Sequence, residues 1–539
     1  MSEPRYVLGI DSSTQGTTAL VIDRDSFETV AEARVRYRDD PRLAGFNLIA
    51  GAPLLKPREE GEADQPVLLF VAAIDAVLED LPRDALAKVA AVNFSAQQHG
   101  QVWLGSDAAA VLEGLRLAGS GAAGKPGLAA RLGSALASER APIWMSSNTA
   151  REAEQLRAAA GGPDAMTELS GSDSPLRFSA AVLRHKALFE PAIYSGCARI
   201  HLISSFLAAL FSGREDAPID WGNGSGMSLM DWRGRCWSET LLAATADGLP
   251  GGAEGLRRRL PALAHPLSLT GHVASYFSER YGLPPSAAVI AGSGDNPQTK
   301  VLATGALLSL GTSFVLMTEG ENPHRSANAM YDGLGRPFLF GCRTNGSLCW
   351  ESIRKTHGHA ADDFVASERA LESVAPGSVL RLLQNEHESF PESQVIDAFP
   401  GEAFATDYAG AVDSTLGLLY LGALPFATSV AEVAVTGGAA ASEGTLRRIA
   451  AIWNSPVVPI GETGAAAGAA VAAAVAIREG VDAEEYARRA AAAVSRRGKV
   501  VRPDPSIVVA YHGKNGYLGR LASFFETVKN ESRRELPGN

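Results

Sequence analysis

Apolar and polar positions along the chain fall into short blocks, and the first block sets the pattern. Tyr6-Val7-Leu8-Gly9-Ile10 is an apolar run, and Thr18-Ala19-Leu20-Val21-Ile22-Asp23 alternates. Between them lies a polar stretch of small residues, Asp11-Ser12-Ser13-Thr14-Gln15-Gly16-Thr17. The pattern predicts strand, tight turn, strand, with residues 5–37 forming two or three antiparallel strands. Val67, Phe70, Val71, Ile74, Val77 and Leu78 recur at helical spacing and predict a helix over 66–80. Lys88–Phe94 reads as a buried strand that delivers Ser95-Ala96-Gln97-Gln98-His99-Gly100 at its end. Residues 106–140, rich in Ala, Gly, Leu and Ser, read as an exposed insertion with a helix or two. A strand at 141–145 and a helix at 149–160 follow. Residues 164–190 form a helical segment holding Arg177 and Lys186, and an amphipathic helix over 199–211 is ended by Gly213. A further helix closes at Tyr281, and Leu283-Pro284-Pro285 breaks the chain. The expected division is therefore residues 1–285 and residues 286–539.

The second part repeats the first in outline. A strand over 288–292 delivers Ser293-Gly294-Asp295-Asn296-Pro297, followed by a helix. Residues 306–310, 311–313 and 314–317 then form a second strand, small-residue turn and strand. A strand at 432–436, the bend Gly437-Gly438-Ala439-Ala440 and a helix over 446–453 come later, then two strands. The run Gly464–Ile477 is almost wholly Ala, Gly and Val, too short and too poor in large side chains to span a bilayer. It predicts a buried helix packed closely through small residues.

Length and charge narrow the function classes. A chain of 539 residues predicts more than one domain. A net charge of −11 argues against a nucleic-acid partner, though not against a nucleotide, which feels only its local site. Four scattered cysteines supply neither a zinc framework nor a disulfide scaffold. A strand that begins after four residues leaves no signal peptide, so a cytoplasmic location without a membrane partner is expected.

Local chemistry singles out a few stretches. The first turn offers many N–H and hydroxyl groups to phosphate oxygens, and Asp11 is placed to hold a hydrated Mg²⁺ beside them. An ordinary hairpin reads equally well from this stretch alone. Gln98 and His99 sit at a strand end, where α/β sheets place binding groups; the competing reading of His99 is a packing residue. Gly437 and Gly438 let a flat ligand approach the backbone, or simply open a helix. Gly119–Pro126 imitates a phosphate loop, but Pro126 stands where a Ser or Thr would bind Mg²⁺ and no strand precedes it, so it is rejected. The glycine cluster Gly222–Gly226 lacks the strand–helix context of a dinucleotide fingerprint and reads as a loop. His357 and His359 lack further ligands and read as surface residues.

Taken together, GIDSSTQGTT (9–18), LGTS (310–313), TGGAA (436–440) and GDNP (294–297) resemble the phosphate, adenosine and base segments of the FGGY carbohydrate kinases. SAQQHG (95–100), PIWM (142–145), the Arg177-Phe178-Ser179 region, IDWGNGSGM (219–227), YGLPPSAAVIAGSGDNP (281–297) and NGSLCWESIR (345–354) are similar to the xylulose kinase branch of that family. The resemblance implies an α/β, two-domain, actin-like (ribonuclease H-like) fold with a central cleft. It implies ATP and Mg²⁺, with Asp11 at the metal and Ser13, Thr14, Gly16 and Thr17 in the first phosphate loop. Gly311, Thr312 and Ser313 would cradle phosphates from the second loop, and Gly437, Gly438, Ala439 and Ser442 would lie at the adenosine. Gln98, His99, Arg177, Asp295 and Asn296 would bind the sugar, with Asp295 also the catalytic base. The implied activity is phosphorylation of a ketopentose, D-xylulose in the first place. A kinase of the same fold for ribulose, rhamnulose, gluconate or glycerol, and a non-catalytic actin-fold binding protein, stay open. A homodimer is compatible with the sequence. Ser146 departs from the family, whose members often carry Asp after PIWM; Ser442 stands for a common Asn, and Ser414-Thr415-Leu416-Gly417 for a segment with a Glu-Gly pair.

Overall fold

The computed structural model of the protein describes residues 5–117, 126–427, 430–461, 464–478 and 482–534. In chain order, the elements that position the candidate sites begin with β1 (Tyr6–Ser12), β2 (Gly16–Asp23), β3 (Thr29–Arg36), α1 (Val67–Glu79) and β4 (Val89–Ala96). Helices α2 (Ser179–Phe189) and α3 (Ile203–Ser212) follow, then β5 (Ala288–Ile290), β6 (Ser293–Gly294) and α4 (Asp295–Lys300). Next come β7 (Ala306–Leu310), β8 (Phe314–Glu319), β9 (Pro337–Arg343), β10 (Val433–Thr436), α5 (Glu443–Trp453), β11 (Val457–Pro459) and α6 (Gly464–Ala476).

The chain forms two compact units. The first comprises Met1–Leu302, Pro323–Pro337 and Thr463–Val494. Its sheet runs β5-β4-β1-β2-β3, with β6 also paired to β4 and a further strand, Leu269–His272, beyond β5. Strands β1, β2 and β3 are antiparallel neighbours, whereas β1, β4 and β5 run parallel. β1 is buried from Val7 to Ser12 because helices cover both of its faces, which is why its sequence is an apolar run. β3 alternates exposed and buried positions toward its end and has only one face to hide.

The second unit comprises Ala303–Asn322, Phe338–Glu462 and Ser495–Asn539. Its sheet runs β9-β8-β7-β10-β11 with the same sequence of pairings: two antiparallel, then two parallel. The repeat read from the sequence is therefore a repeat of topology. Each unit has its own core, one around Val92, Phe94 and Phe206, the other around Leu308, Phe314 and Leu416.

The units do not divide at residue 285. Pro284-Pro285 does interrupt the chain, but only as a turn in which the Ala287 N–H donates to the Pro284 carbonyl. Ala288, Val289, Ser293 and Gly294 then pair with β4, so the chain leaves the first unit only after α4. The Ala-rich α6 also belongs to the first unit. Its small residues let it lie against β1 and α4 so closely that a Cβ on Gly468 would stand 1.8 Å from the Gln298 carbonyl oxygen. A Cβ on Gly9 would stand 2.0 Å from the Ala466 carbonyl oxygen.

Other expectations shift in detail. Residues 197–202 are a strand before α3, and α3 is buried on all sides instead of amphipathic. Gly213 caps it in the left-handed region, as expected. Within 106–140, Leu112, Leu115, Leu128 and Leu132 enter the main core, so this segment is not a purely exposed insertion. Residues 119–125 of the rejected phosphate-loop imitation lie outside the described residues. Among the described residues, one strand, not two, lies between α5 and α6.

Candidate active site

In the first unit, parallel pairing brings the candidates to one sheet edge. Ser12 is in register with Ala96, and Gly294 is in register with the same Ala96. The carboxyl ends of β1, β4 and β6 therefore coincide, and each strand hands its following residues to the same edge. β1 delivers Asp11, Ser13 and Thr14; β4 delivers Gln97, Gln98 and His99; β6 delivers Asp295 and Asn296.

Asp11 is buried, and both of its carboxylate oxygens accept hydroxyl protons, one from Ser13 and the other from Ser95 at 2.7 Å. Burial pushes its pKa above the usual carboxylate value, against the pull of those hydroxyls and of the Arg34 charge. Asp295 opens α4. Its pKa is pushed up to about 7, chiefly by burial and then by the negative charge of Asp11, while the N–H groups of Asn296 and Gln98 oppose the rise. A carboxyl group in this state can hold or release a proton near neutrality.

Asn296 and Gln98 are tied together. The Asn296 amide donates to the Gln98 side-chain oxygen at 3.0 Å and to an Asp295 carboxylate oxygen at 3.2 Å. Gln98 is buried, and a Cβ on Gly294 would meet it at 2.4 Å. Its local role is thus to brace Asn296 and β6. Behind β6, Ser293 donates to the buried Asp220 at 2.6 Å, and Asp220 also accepts the Gly222 and Asn223 N–H groups. The Gly222–Gly226 cluster forms one helical turn through Ser225, and at its end Gly226 leaves only 3.0 Å between an added Cβ and the His99 ring.

His99 adopts a left-handed backbone, φ 68°. It stacks on Phe178 with ring centroids 4.6 Å apart. Burial and then the Arg177 charge drive its pKa down to about 3, so the imidazole is neutral at physiological pH. Arg177 lies in the turn before α2, not within a helix, and is half-buried.

The hairpin between β1 and β2 closes through the Ser13 N–H donating to the Gly16 carbonyl at 2.9 Å. Thr17 is fully buried, and its hydroxyl meets Tyr37 at 3.1 Å, as does that of Ser12 at 3.0 Å. The Thr17 side chain is therefore committed to the base of the hairpin. Gly16 is required by β3, whose Val35 carbonyl would lie 2.4 Å from an added Cβ. Gln65, Gln97 and Trp144, which the sequence did not single out, bond to Thr14 or to one another.

The second unit repeats the arrangement. β7 and β10 are parallel, with Ser309 in register with Thr436, so Gly311-Thr312-Ser313 and Gly437-Gly438-Ala439 leave the same sheet edge. Gly437 has φ 93°, and an added Cβ would stand 2.5 Å from the Leu310 carbonyl oxygen, so a side chain is excluded there twice over. Gly438 faces open space. Ser347 fixes the turn by donating to the Gly311 carbonyl at 2.6 Å. Ser442 caps α5, accepting the Thr445 N–H and donating to Glu368 at 2.6 Å, which leaves its hydroxyl no free proton. His357 is not a plain surface residue: its ring is largely covered and bonds to the buried Asp407 at 3.1 Å.

Among the described residues, no cluster of three or more His, Cys, Asp or Glu could cage a metal, and no helix is long and apolar enough to cross a membrane.

No protein-family profile matches the chain. Xylulose kinase of Mus musculus is 30% identical over 493 residues, spanning 86% of this chain and 84% of that protein. Xylulose kinase of Rattus norvegicus is 29% identical over 495 residues, 86% of each chain. The crystal structure of xylulose kinase from Rhodospirillum rubrum shares the fold, with a TM-score of 0.78 at 16% identity over 98% of this chain and 99% of that one. This is the two-domain, actin-like sugar kinase fold that the duplicated sheet topology describes. With 30% identity to the mouse enzyme over most of both proteins, the chain belongs to the xylulose kinase family of FGGY carbohydrate kinases.

Proposed function

We propose that the protein phosphorylates a ketopentose with ATP, converting D-xylulose to D-xylulose 5-phosphate, with Asp295 as general base. One observation carries the reading. Asp295 is a carboxyl group with its pKa raised to about 7, set on the same sheet edge as Asp11, Gln98 and His99. A kinase uses such a group to accept the proton of the attacking hydroxyl.

The chemistry forms a bond from the sugar hydroxyl oxygen to the γ-phosphorus of ATP and breaks the bond from that phosphorus to the β,γ-bridging oxygen. ADP leaves, and the hydroxyl proton passes to Asp295. His99, Arg177, Asn296 and Gln98 hold the sugar. His99 is neutral, so its ring offers a hydrogen bond without repelling Arg177. The main-chain N–H groups of residues 14–16 and of Gly311–Ser313 neutralise phosphate charge. Gly438 gives an adenosine ring access to the backbone.

Asp11 fits a hydrated Mg²⁺. It is a buried carboxylate bonded to hydroxyls and not to a basic side chain, on a site with no further acidic cage, which suits an ion that keeps most of its waters and leans on substrate phosphates. Bound there with ATP, Mg²⁺ supplies charge neutralisation on the phosphates. The Ser146 hydroxyl donates to the Ala63 carbonyl at 3.2 Å and is buried, so its departure from the family gives no positive reason to favour another sugar.

The test is ADP release from ATP and Mg²⁺ over a panel of D-xylulose, D-ribulose, L-rhamnulose, gluconate and glycerol. The expected result is turnover with D-xylulose at the highest kcat/KM. Preference for another acceptor would overturn the substrate, and tight ATP binding without transfer to any acceptor would overturn the kinase reading.

A further inference from the structure

Thr14 sits at the tip of the first phosphate hairpin, and its hydroxyl is the group that sequence reasoning would aim at a phosphate. A closed circuit of hydrogen bonds in the first unit gives it a different task. The Trp144 indole N–H donates to the Thr14 hydroxyl oxygen at 2.9 Å. The Thr14 hydroxyl donates to the Gln97 side-chain oxygen at 3.0 Å. The Gln97 amide donates to the Gln65 side-chain oxygen at 2.6 Å. The Gln65 amide then donates to the main-chain carbonyl of Thr14 itself at 2.9 Å and to that of Pro53 at 2.8 Å.

The direction of this circuit is fixed by Gln65. Main-chain carbonyls can only accept, so the Gln65 amide nitrogen must face those of Thr14 and Pro53, which turns its oxygen to the Gln97 amide nitrogen. The Gln97 oxygen is thereby turned to Thr14 and takes its single hydroxyl proton, while the Trp144 indole N–H fills a lone pair of the same hydroxyl. Gln65 is fully buried and Gln97 nearly so, where a reversed amide would set its oxygen against another acceptor oxygen. Gln97 is also held through its main chain, whose N–H donates to the Ser12 carbonyl at 3.0 Å.

We infer that Gln65, Gln97 and Trp144 are positioning residues for the phosphate hairpin: they consume the Thr14 hydroxyl and lock the tip, so that Thr14 serves the nucleotide through its main-chain N–H and not through its side chain. This rests on the reading of the hairpin as an ATP phosphate loop. It differs from the role given to Thr14 by resemblance, because the hydroxyl has no proton left for a phosphate oxygen.

The test measures ATP affinity by titration calorimetry with Mg²⁺ and a non-hydrolysable ATP analogue, alongside Tm, for Thr14→Val, Thr14→Ser, Gln97→Leu, Trp144→Phe and the double variant Thr14→Val/Gln97→Leu. Loss of one such bond corresponds to about a fivefold weakening. The expected result is a similar loss, about fivefold, in Thr14→Val, Gln97→Leu and Trp144→Phe. The double variant should be no weaker than the singles, and Thr14→Ser, which keeps the circuit, should stay within about twofold of wild type. Losses that add in the double variant would overturn the inference, as would a loss in Thr14→Val with none in Trp144→Phe and Gln97→Leu; both mark a direct hydroxyl–phosphate contact. Thr14→Val and Trp144→Phe alter groups that are not fully buried, so the comparison stands if Gln97→Leu lowers Tm. The affinity readout needs no transfer: a wild type that binds ATP but phosphorylates no sugar would overturn only the functional reading, whereas a wild type that does not bind the analogue would overturn both.

Discussion

Asp295 shows how a single residue is bent away from its ordinary chemistry. A carboxylate at its usual pKa of about 3.9 is a weak base for an alcohol. Burial and the Asp11 charge raise Asp295 to about 7, which strengthens it as a base but leaves it half-protonated at neutrality. Only the ionised form accepts a proton, so kcat/KM for the sugar should climb with pH, falling about tenfold per unit below a midpoint that Mg²⁺ on Asp11 brings below about 7. A pH–rate profile flat between about pH 5.5 and 8 would count against the assignment. Asp295→Asn should lower kcat by about 10²- to 10⁴-fold. The same variant should be more stable, by about 1 kcal/mol above pH 5. Because the folded-state pKa is raised, the ionised carboxylate destabilises the fold as pH rises above its unfolded value, and Asn carries no charge. Thermal melts at pH 5 and pH 8 measure this, with the gain larger at pH 8. His99 presents a second case. Its left-handed backbone suits Asn better than any β-branched residue. His99→Asn should therefore fold normally and raise the sugar KM about tenfold, an effect independent of pH between about 5 and 8 because the imidazole is neutral throughout.

At the scale of elements, the active edge depends on how closely α6 can approach. Asp295 opens α4, and α4 packs on α6 through Gly468, where there is no room for a methyl group. Gly468→Ala should destabilise the protein by about 1–3 kcal/mol and lower kcat as well, since α4 must shift to relieve the clash. Urea unfolding and steady-state kinetics on the same preparation check both effects. Gly438 is the useful contrast, because an added Cβ there meets nothing. Gly438→Ala should leave the urea midpoint unchanged and raise the KM for ATP several-fold, if this is where the adenosine lies. The helix period is clear in α1, as are the apolar run of β1 and the alternation of β2. The strand over 197–202 is not, since Leu202 runs directly into Ile203 with no turn residue to mark where the strand ends and α3 begins.

At the scale of the whole molecule, one topology is used twice, and the two copies carry different chemistry. The first bears the acceptor candidates Gln98, His99, Arg177, Asp295 and Asn296, together with Asp11; the second bears the glycine-rich turns 311–313 and 437–439. With all its candidate ligands in one unit, the sugar should bind without nucleotide. D-xylulose alone should raise Tm, with a stabilisation of about 2.7 kcal/mol when its concentration is about a hundred times Kd. No shift at saturating sugar would show that the grouping of these residues is not itself a binding site.

The sequence by itself determined the identity of the chemical groups and the local turns that carry them. Two small-residue hairpins, the glycines at 437–438 and the Asp295-Asn296 pair after a strand are legible because turn chemistry and strand ends are local properties. Tertiary structure decided the rest. It assigned Asp295 to the first unit, since β5 and β6 pair with β4 beyond the proline break, a contact nearly 200 residues away in sequence that no local pattern encodes. It returned α6 to that same unit, and it turned the Thr17 hydroxyl inward to Tyr37. It also set the Thr14 hydroxyl between Trp144 and Gln97, residues whose meeting depends on packing and whose bond directions follow from the two carbonyls that the Gln65 amide faces.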